Sequence, residues 1–197
     1  MTAQSIARLR ITLDHVKPRV LRRLDAPLTL GLDRLHLAIQ AAMGWENGHL
    51  HEFRAGEAAW GEPDPEGPGE GPADEAQASL ADLIEAAGGK AFAYLYDFGD
   101  DWAHAVVVER LSDPVPGGVY PVLVEAVGRC PPEDCGGPWG YAELLEAVAD
   151  PGHERHEEMI ERVGEGYDPA AADVNGLAET VRALAERWSR PSGRRDS

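Results

Sequence analysis

The sequence predicts an α+β fold, a mostly antiparallel sheet with helices packed on it, in a single compact domain with a C-terminal helical part. Three observations carry this. Residues Ala91 to Arg110, AFAYLYDFGDDWAHAVVVER, alternate with period two on both sides of Asp97-Phe98-Gly99-Asp100-Asp101, the pattern of a β-hairpin closed by a turn. Leu32, Leu35, Ile39 and Met43 recur at helical spacing, as do Leu177, Val181, Leu184 and Trp188. Further alternating runs, Arg8–Leu13 and Val119–Val127, supply additional half-buried strands.

In chain order, Arg8–Leu13 is a strand whose apolar members are Leu9, Ile11 and Leu13. Pro18 interrupts before a second strand over Arg19–Leu24, and the two are expected to pair antiparallel. Thr29 offers an N-cap for a helix that Gly44 ends, with His36 inside it as a buried or boundary histidine. In the extended segment that follows, His49, His51 and Phe53 share one face, the two imidazoles about 7 Å apart by the strand rise. Residues 61–78 hold Pro, Gly and acid with no apolar side chain larger than alanine, so they read as a flexible, solvated acidic loop. Ser79 with Asp82 forms a capping box for a short helix burying Leu80, Leu83 and Ile84, and Gly88-Gly89 closes it. At the hairpin, Gly99 is the residue expected at positive φ. Residues 130–141, CPPEDCGGPWGY, are too rich in Pro and Gly for regular structure. Helices follow over Tyr141–Val148 and His153–Val163, and Asp168-Pro169 looks like the start of the last one. The expected domain spans residues 1–188, with 189–197 a disordered tail.

At 197 residues the chain can bury one sizeable core, so its two cysteines need not form a disulfide. The start of the chain has no continuous apolar run, and nowhere is there a stretch approaching the roughly 20 apolar residues of a membrane span. A cytoplasmic location without membrane contact is expected. The formal charge is −17. Residues 1–60 hold eight basic and six acidic side chains, so the excess of acid lies in 61–197. Such a body repels nucleic acid unless Arg8, Arg10, Arg19, Arg22 and Arg23 concentrate on one face; an ordinary solvated strand side is the simpler expectation.

Three clusters carry chemistry. His49 and His51, then Asp97, Asp100 and His104 at the hairpin, then Glu133 and Asp134 in the proline-rich loop, together make a candidate polar or ligand pocket. Within it His49, His51, Asp97 and His104 are candidate metal ligands, since imidazole with carboxylate suits zinc, manganese or iron. The competing explanation is structural: Asp97 and Asp100 hold the turn, Glu133 and Asp134 satisfy loop amides, and His104 packs beside Trp102. A second metal candidate is Cys130, Cys135, His153 and His156, a C-x₄-C followed by an HxxH shorter than the usual zinc spacing. Several chemistries are excluded. The lone Asp97-Phe98-Gly99 lacks the glycine-rich loop and catalytic HRD of a kinase, no GxSxG elbow occurs, and nothing marks either thiol as activated.

The segments MGWENGHLHEF (Met43 to Phe53), YDFGDDWAH (Tyr96 to His104), CPPEDCGGPWGY (Cys130 to Tyr141) and HERHEEM (His153 to Met159) resemble, in that order, the plasmid pRiA ORF-three-like family. Some of its members are labelled insertion-element passenger proteins of a TnpR-like kind. The likeness runs from about Ile6 to Asn175 and implies a compact α+β domain, without assigning a biochemical role. The resolvase-like label finds no basic recognition helix and no serine nucleophile arrangement here. Three functions stay open: a cytoplasmic, non-enzymatic binding or accessory protein with a small-molecule or protein partner; a metal-dependent hydrolase or other small metalloenzyme using the His/Asp/Glu pocket; and a nucleic-acid accessory protein of mobile elements.

Overall fold

A computed structural model describes residues 5–63 and 71–190. Eight strands form one sheet: β1 (Ile6–Leu13), β2 (Leu21–Pro27), β3 (His51–Ala55), β4 (Ala58–Gly61), β5 (Ala73–Asp74), β6 (Ala91–Tyr96), β7 (Trp102–Ser112) and β8 (Val122–Val127), in spatial order β5-β4-β3-β6-β7-β1-β2-β8. Every pair is antiparallel except β4 with the two-residue β5. Five helices complete the α+β fold: α1 (Leu32–Met43), α2 (Leu80–Ala86), α3 (Gly137–Ala149), α4 (His156–Val163) and α5 (Val174–Ser189).

Period-two alternation sets which face is buried. Along the central hairpin Phe92, Tyr94, Tyr96, Trp102, His104 and Val106 are all buried, together with Leu9, Ile11 and Leu13 of β1. This face receives α1 through Leu32, Leu35 and Ile39, and α2 through Leu80, Leu83 and Ile84. Helix α5 packs against α1 and β8, and α3 pairs with α4. On the opposite face Arg8 meets Asp25, while Arg10 and Arg23 converge on Glu109 and Arg23 also reaches Glu125. Those guanidiniums are therefore matched by carboxylates rather than gathered into a basic surface.

Several local expectations are corrected. Arg22 is not on a solvated strand side but fully buried: it lies opposite Ile11 and two residues before Leu24, on the inward-facing parity of β2, while Leu21 is buried on the other parity. Gly31 rather than Thr29 caps α1, and α5 starts after Asp173, which accepts from Gly176 N, rather than at Asp168. Helix α3 begins inside the glycine-rich run at Gly137, and α4 begins at His156 rather than His153. Within 61–78, residues 71–78 are ordered into β5 and a 3-10 turn over Glu75–Gln77, and Glu75 is buried; residues 64–70 lie outside the described residues. Ser189 ends α5, and the rest of the expected tail, from 191 on, also lies outside them. The Ser79/Asp82 capping box is present as expected.

The hairpin turn is built differently from the expectation as well. Positive φ falls on Asp97 (57°) and Asp101 (57°), not on Gly99. Aspartate tolerates this region because its short side chain bonds back to the local backbone. Asp97 Oδ1 does so, accepting from Gly99 N at 2.9 Å and Asp100 N at 3.2 Å.

The loop before α3 seats on this tip. Gly136 N donates to Asp100 Oδ2 at 3.2 Å, and a Cβ on Gly137, whose φ is +67°, would lie 2.2 Å from Asp100 O. Only glycine fits there. Gly137→Ala is expected to destabilise the fold by more than about 2 kcal/mol, combining strain with a backbone clash. Gly117→Ala, at φ +74° with no atom within 4 Å, should cost only about 1 kcal/mol. Urea denaturation of the two variants beside the parent chain checks the difference.

Candidate functional site

Strand pairing explains which motif residues meet. Strand β3 runs antiparallel to β6 with His51 opposite Tyr96, so the residues just before His51 fall beside those just after Tyr96. Asp97 N donates to Leu50 O at 2.9 Å and fixes this junction. His49 thereby lies against the hairpin tip, its Nδ1 3.5 Å from Asp97 Oδ2. On its other side Nε2 is 3.2 Å from Asp134 Oδ1. One ring nitrogen and one oxygen from each aspartate lie within 4.8 Å of one another. The Asp97 side chain is 10% exposed, that of His49 30% and that of Asp134 73%, so the cluster is walled at Asp97 and open at Asp134.

Backbone conformation aims both carboxylates. Asp97 and Asp134 sit at φ 57° and 56°, and Asn47, two residues before His49, at φ 60°. Non-glycine residues in this region cost energy, and where they cluster the surrounding structure must hold them. That support is visible. Tyr96 OH donates to Glu133 and accepts from Gly48 N at 3.0 Å; Glu133 Oε2 accepts from Glu46 N at 2.8 Å. Burial, then the bond to Glu133, pushes the Tyr96 phenol well above its ordinary range, so it acts as a neutral donor. Trp45 Nε1 donates to Pro131 O at 2.9 Å and Arg162 Nη2 to Glu133 O at 2.7 Å. Glu133 and Asp100 therefore bracket the proline-rich loop against the tip, while Asp134 is the acid presented to His49.

A neutral imidazole has one N–H and cannot donate to two carboxylates. With an aspartate facing each ring nitrogen, at most one of the two contacts can be a hydrogen bond donated by a neutral ring.

His51 is separated from His49, contrary to the expectation of one common face. The strand begins only at His51, and its ring turns inward, with Nε2 2.6 Å from Glu75 Oε2. It stacks on His36, ring centroids 3.4 Å apart and planes 4° apart. His36 Nδ1 contacts Tyr94 OH at 2.8 Å and its Nε2 contacts Asn47 Oδ1, while Gln40 Nε2 donates to Tyr94 OH at 2.9 Å. Burial, then the neighbouring His51, lowers the His36 pKa to about 3, so this ring is neutral. A cleft of about 520 Å³ is lined by His36, Asn47, His49, His51 and Glu75; of the His49 cluster, His49 reaches it and the two aspartates do not. Gln40, Asn47, Tyr94 and Glu75 carry no expectation from sequence as site residues, and His36, expected as a buried or boundary histidine, is buried but had no expected place in a site. His36 and Gln40 did carry a signal, a polar pair at i, i+4 on an otherwise apolar helix face; Glu75 carried none.

The remaining candidates lie elsewhere. His104 is a core residue, with Nδ1 3.2 Å from Tyr94 O, an edge-on contact to Trp45 at 5.5 Å, and no partner for Nε2 among the described residues. Burial lowers its pKa to about 4. His153 Nδ1 accepts from Arg155 N, and His156 Nδ1 donates to Ala147 O. Cys130 and Cys135 are both free thiols, and burial raises both, Cys135 to about 11. Among the described residues these two cysteines and two histidines do not come together as a ligand group.

The plasmid pRiA4b ORF-3-like protein family matches residues 5–176, nearly the span over which the motifs carry the resemblance. The uncharacterized protein y4hQ of Sinorhizobium fredii is 50% identical over 192 residues, 97% of this chain and 98% of that protein. The crystal structure of MM3350, a protein of unknown function from Methanosarcina mazei, is similar with a TM-score of 0.78 at 32% identity, over 88% of this chain and 98% of that one.

The buried histidines set an acid sensitivity. Folded His36 and His104 stay neutral down to about 3 and 4, whereas in the unfolded chain each takes a proton near 6.5. Between those values the unfolded state binds more protons, so stability rises with pH. Unfolding free energy from denaturant titrations should fall by on the order of a few kcal/mol as pH drops from 6.5 toward 4. Between pH 6.5 and 5 the slope should flatten in His104→Gln.

Proposed function

This chain belongs to the plasmid pRiA4b ORF-3-like protein family, and from that premise we propose that it is a binding module whose ligand is a divalent metal ion held by His49, Asp97 and Asp134. The observation that carries this reading is the approach of one imidazole nitrogen and two carboxylate oxygens, from three separate segments, to within 4.8 Å of one another. Two of those segments hold their aspartate at positive φ, a conformation that aims both carboxylates at the imidazole. One nitrogen and two oxygens suit zinc, manganese or iron(II). The exposed Asp134 side leaves coordination positions for water or for a group on a partner.

A second reading, a metal-dependent hydrolase, is favoured by one observation: His49 also lines the cleft that holds the His51–Glu75 pair. A metal there would lower the pKa of a bound water, and the cleft would take the substrate.

Protein purified without a tag should bind one equivalent of zinc or manganese by calorimetry and elemental analysis. His49→Ala and Asp97→Asn should each weaken binding beyond the roughly 10–100-fold that a supporting outer residue costs. His104→Gln should bind as the parent does. Absence of any saturable binding of either metal would sink the proposal. Metal-dependent cleavage of nitrophenyl esters or phosphoesters, lost in His51→Ala with metal retained, would select the hydrolase reading.

A further inference from the structure

The cleft of about 520 Å³ that His49 borders carries charge of one sign. Asp33, Glu62, Asp74 and Glu75 line it, and among the described residues no lysine or arginine does. Glu75 is matched by His51. Asp33, Glu62 and Asp74 enter none of the ion pairs of the described residues. The dipole of α1 offsets part of the charge on Asp33, which lies in its first turn. Asp74 Oδ1 accepts from Ala76 N at 2.9 Å, a bond to a neutral donor that leaves its charge in place.

An acidic wall by itself is an ordinary solvated surface, and what sets this one apart is His51. Its side chain is only 6% exposed, yet it lines the cleft. Nε2 is taken by Glu75 Oε2 at 2.6 Å, and the ring face is covered by His36. Nδ1 has no hydrogen-bond partner among the described residues, and the unpartnered side-chain atoms sealed in the interior are those of Thr12, Gln40, Trp102 and His104, not this one. The small part of the ring left open therefore includes Nδ1. A neutral imidazole that donates Nε2–H to a carboxylate keeps its lone pair on Nδ1, so Glu75 and the stacked His36 fix an acceptor at the cleft wall that lacks a donor.

We infer that this cleft binds an aliphatic diamine, one ammonium donating to His51 Nδ1 beside Glu75, the other facing Asp33 and Asp74, and the alkyl chain lying along Leu37 and Leu50. Leu37 and Leu50 supply the apolar part of the lining. A bare ion does not fit this wall, because the ligand group formed among the described residues is His49, Asp97 and Asp134 and includes none of the cleft acids. An ammonium carries three donors that reach separate acceptors, and the three carboxylates left without a cation exceed what one ammonium neutralises. The ligand needs no metal at His49, so its failure to bind and a failure of the metal site are read separately; under the hydrolase reading it names the class of substrate.

In EDTA at low salt, putrescine should bind one per chain by calorimetry, in the millimolar range or tighter. Butylamine should bind at least about tenfold more weakly, since it forgoes one charge-assisted bond, and the affinity for putrescine should fall with added salt. Asp33→Asn and Asp74→Asn, which keep the side-chain shape and the capping oxygen, should each weaken putrescine by about threefold or more. Asp97→Asn, outside the cleft lining, should leave it unchanged. On adding putrescine the nitrogen NMR resonance of His51 Nδ1 should move while that of His104 Nε2 stays, a response that cations gathered loosely round an acidic surface do not give. Failure of putrescine to bind in the millimolar range, butylamine binding as tightly, affinity undiminished in both aspartate variants, or a His51 Nδ1 resonance that does not respond would each overturn the inference.

Discussion

The seating of the proline-rich loop on the hairpin tip is the contact on which the candidate site depends. It is made where Gly137 closes on Asp100 O and Gly136 N reaches Asp100 Oδ2, and it is fastened by Glu133 across Tyr96 and Glu46. Without it Asp134 would have no reason to face His49. The same loop carries Cys130 and Pro131 into the core, where Trp45 holds the Pro131 carbonyl. One docking event therefore builds the open wall of the His49 cluster. Pro131, Pro132 and Pro138 limit the freedom this segment loses on docking, against the cost of ordering Gly136, Gly137 and Gly140.

The fold was largely legible because its signals are local. Alternation in the hairpin marks Phe92, Tyr94, Tyr96, Trp102 and Val106 as inward, and helical spacing marks Leu32, Leu35 and Ile39; all are buried. The site was legible only in part. The residue types of His49, Asp97 and Asp134 are plain in the sequence, but their meeting depends on the β3/β6 register and on loop docking, neither of which is encoded within any one segment. His51 was misplaced for a one-residue reason: the strand starts at it, so period two does not extend back to His49. Glu75 was hidden by its neighbours, since a loop made of acid and proline reads as uniformly solvated even when one acid turns inward to an imidazole. Arg22 shares the inward parity of Leu24 and Ala26, so what the sequence hides is not its direction but the Leu21, Ala42 and Val127 carbonyls that receive a buried guanidinium.

The buried polar chain from Gln40 through Tyr94 and His36 to the His51–Glu75 pair sits between α1 and the sheet. Hydrogen bonds join Gln40, Tyr94 and His36, and join His51 to Glu75, while the two histidines meet by ring stacking; such pairing is what makes buried polar groups tolerable away from water. It fixes Asn47 at its outer end, and Asn47 precedes Gly48 and His49. The orientation of the surface imidazole is thus tied, through a few bonds, to side chains in the interior.

The two margins of the sheet differ in kind. At one end β5 contributes only Ala73 and Asp74, paired parallel to β4, which offers a neighbouring molecule almost no ladder to continue. At the other, β8 presents six residues with Val122 and Val124 exposed on it. Lateral growth by strand addition, the usual route from a sheet to an aggregate, therefore has one available direction. A stray chain could prolong this sheet beyond β8 but would find it closed off at β5.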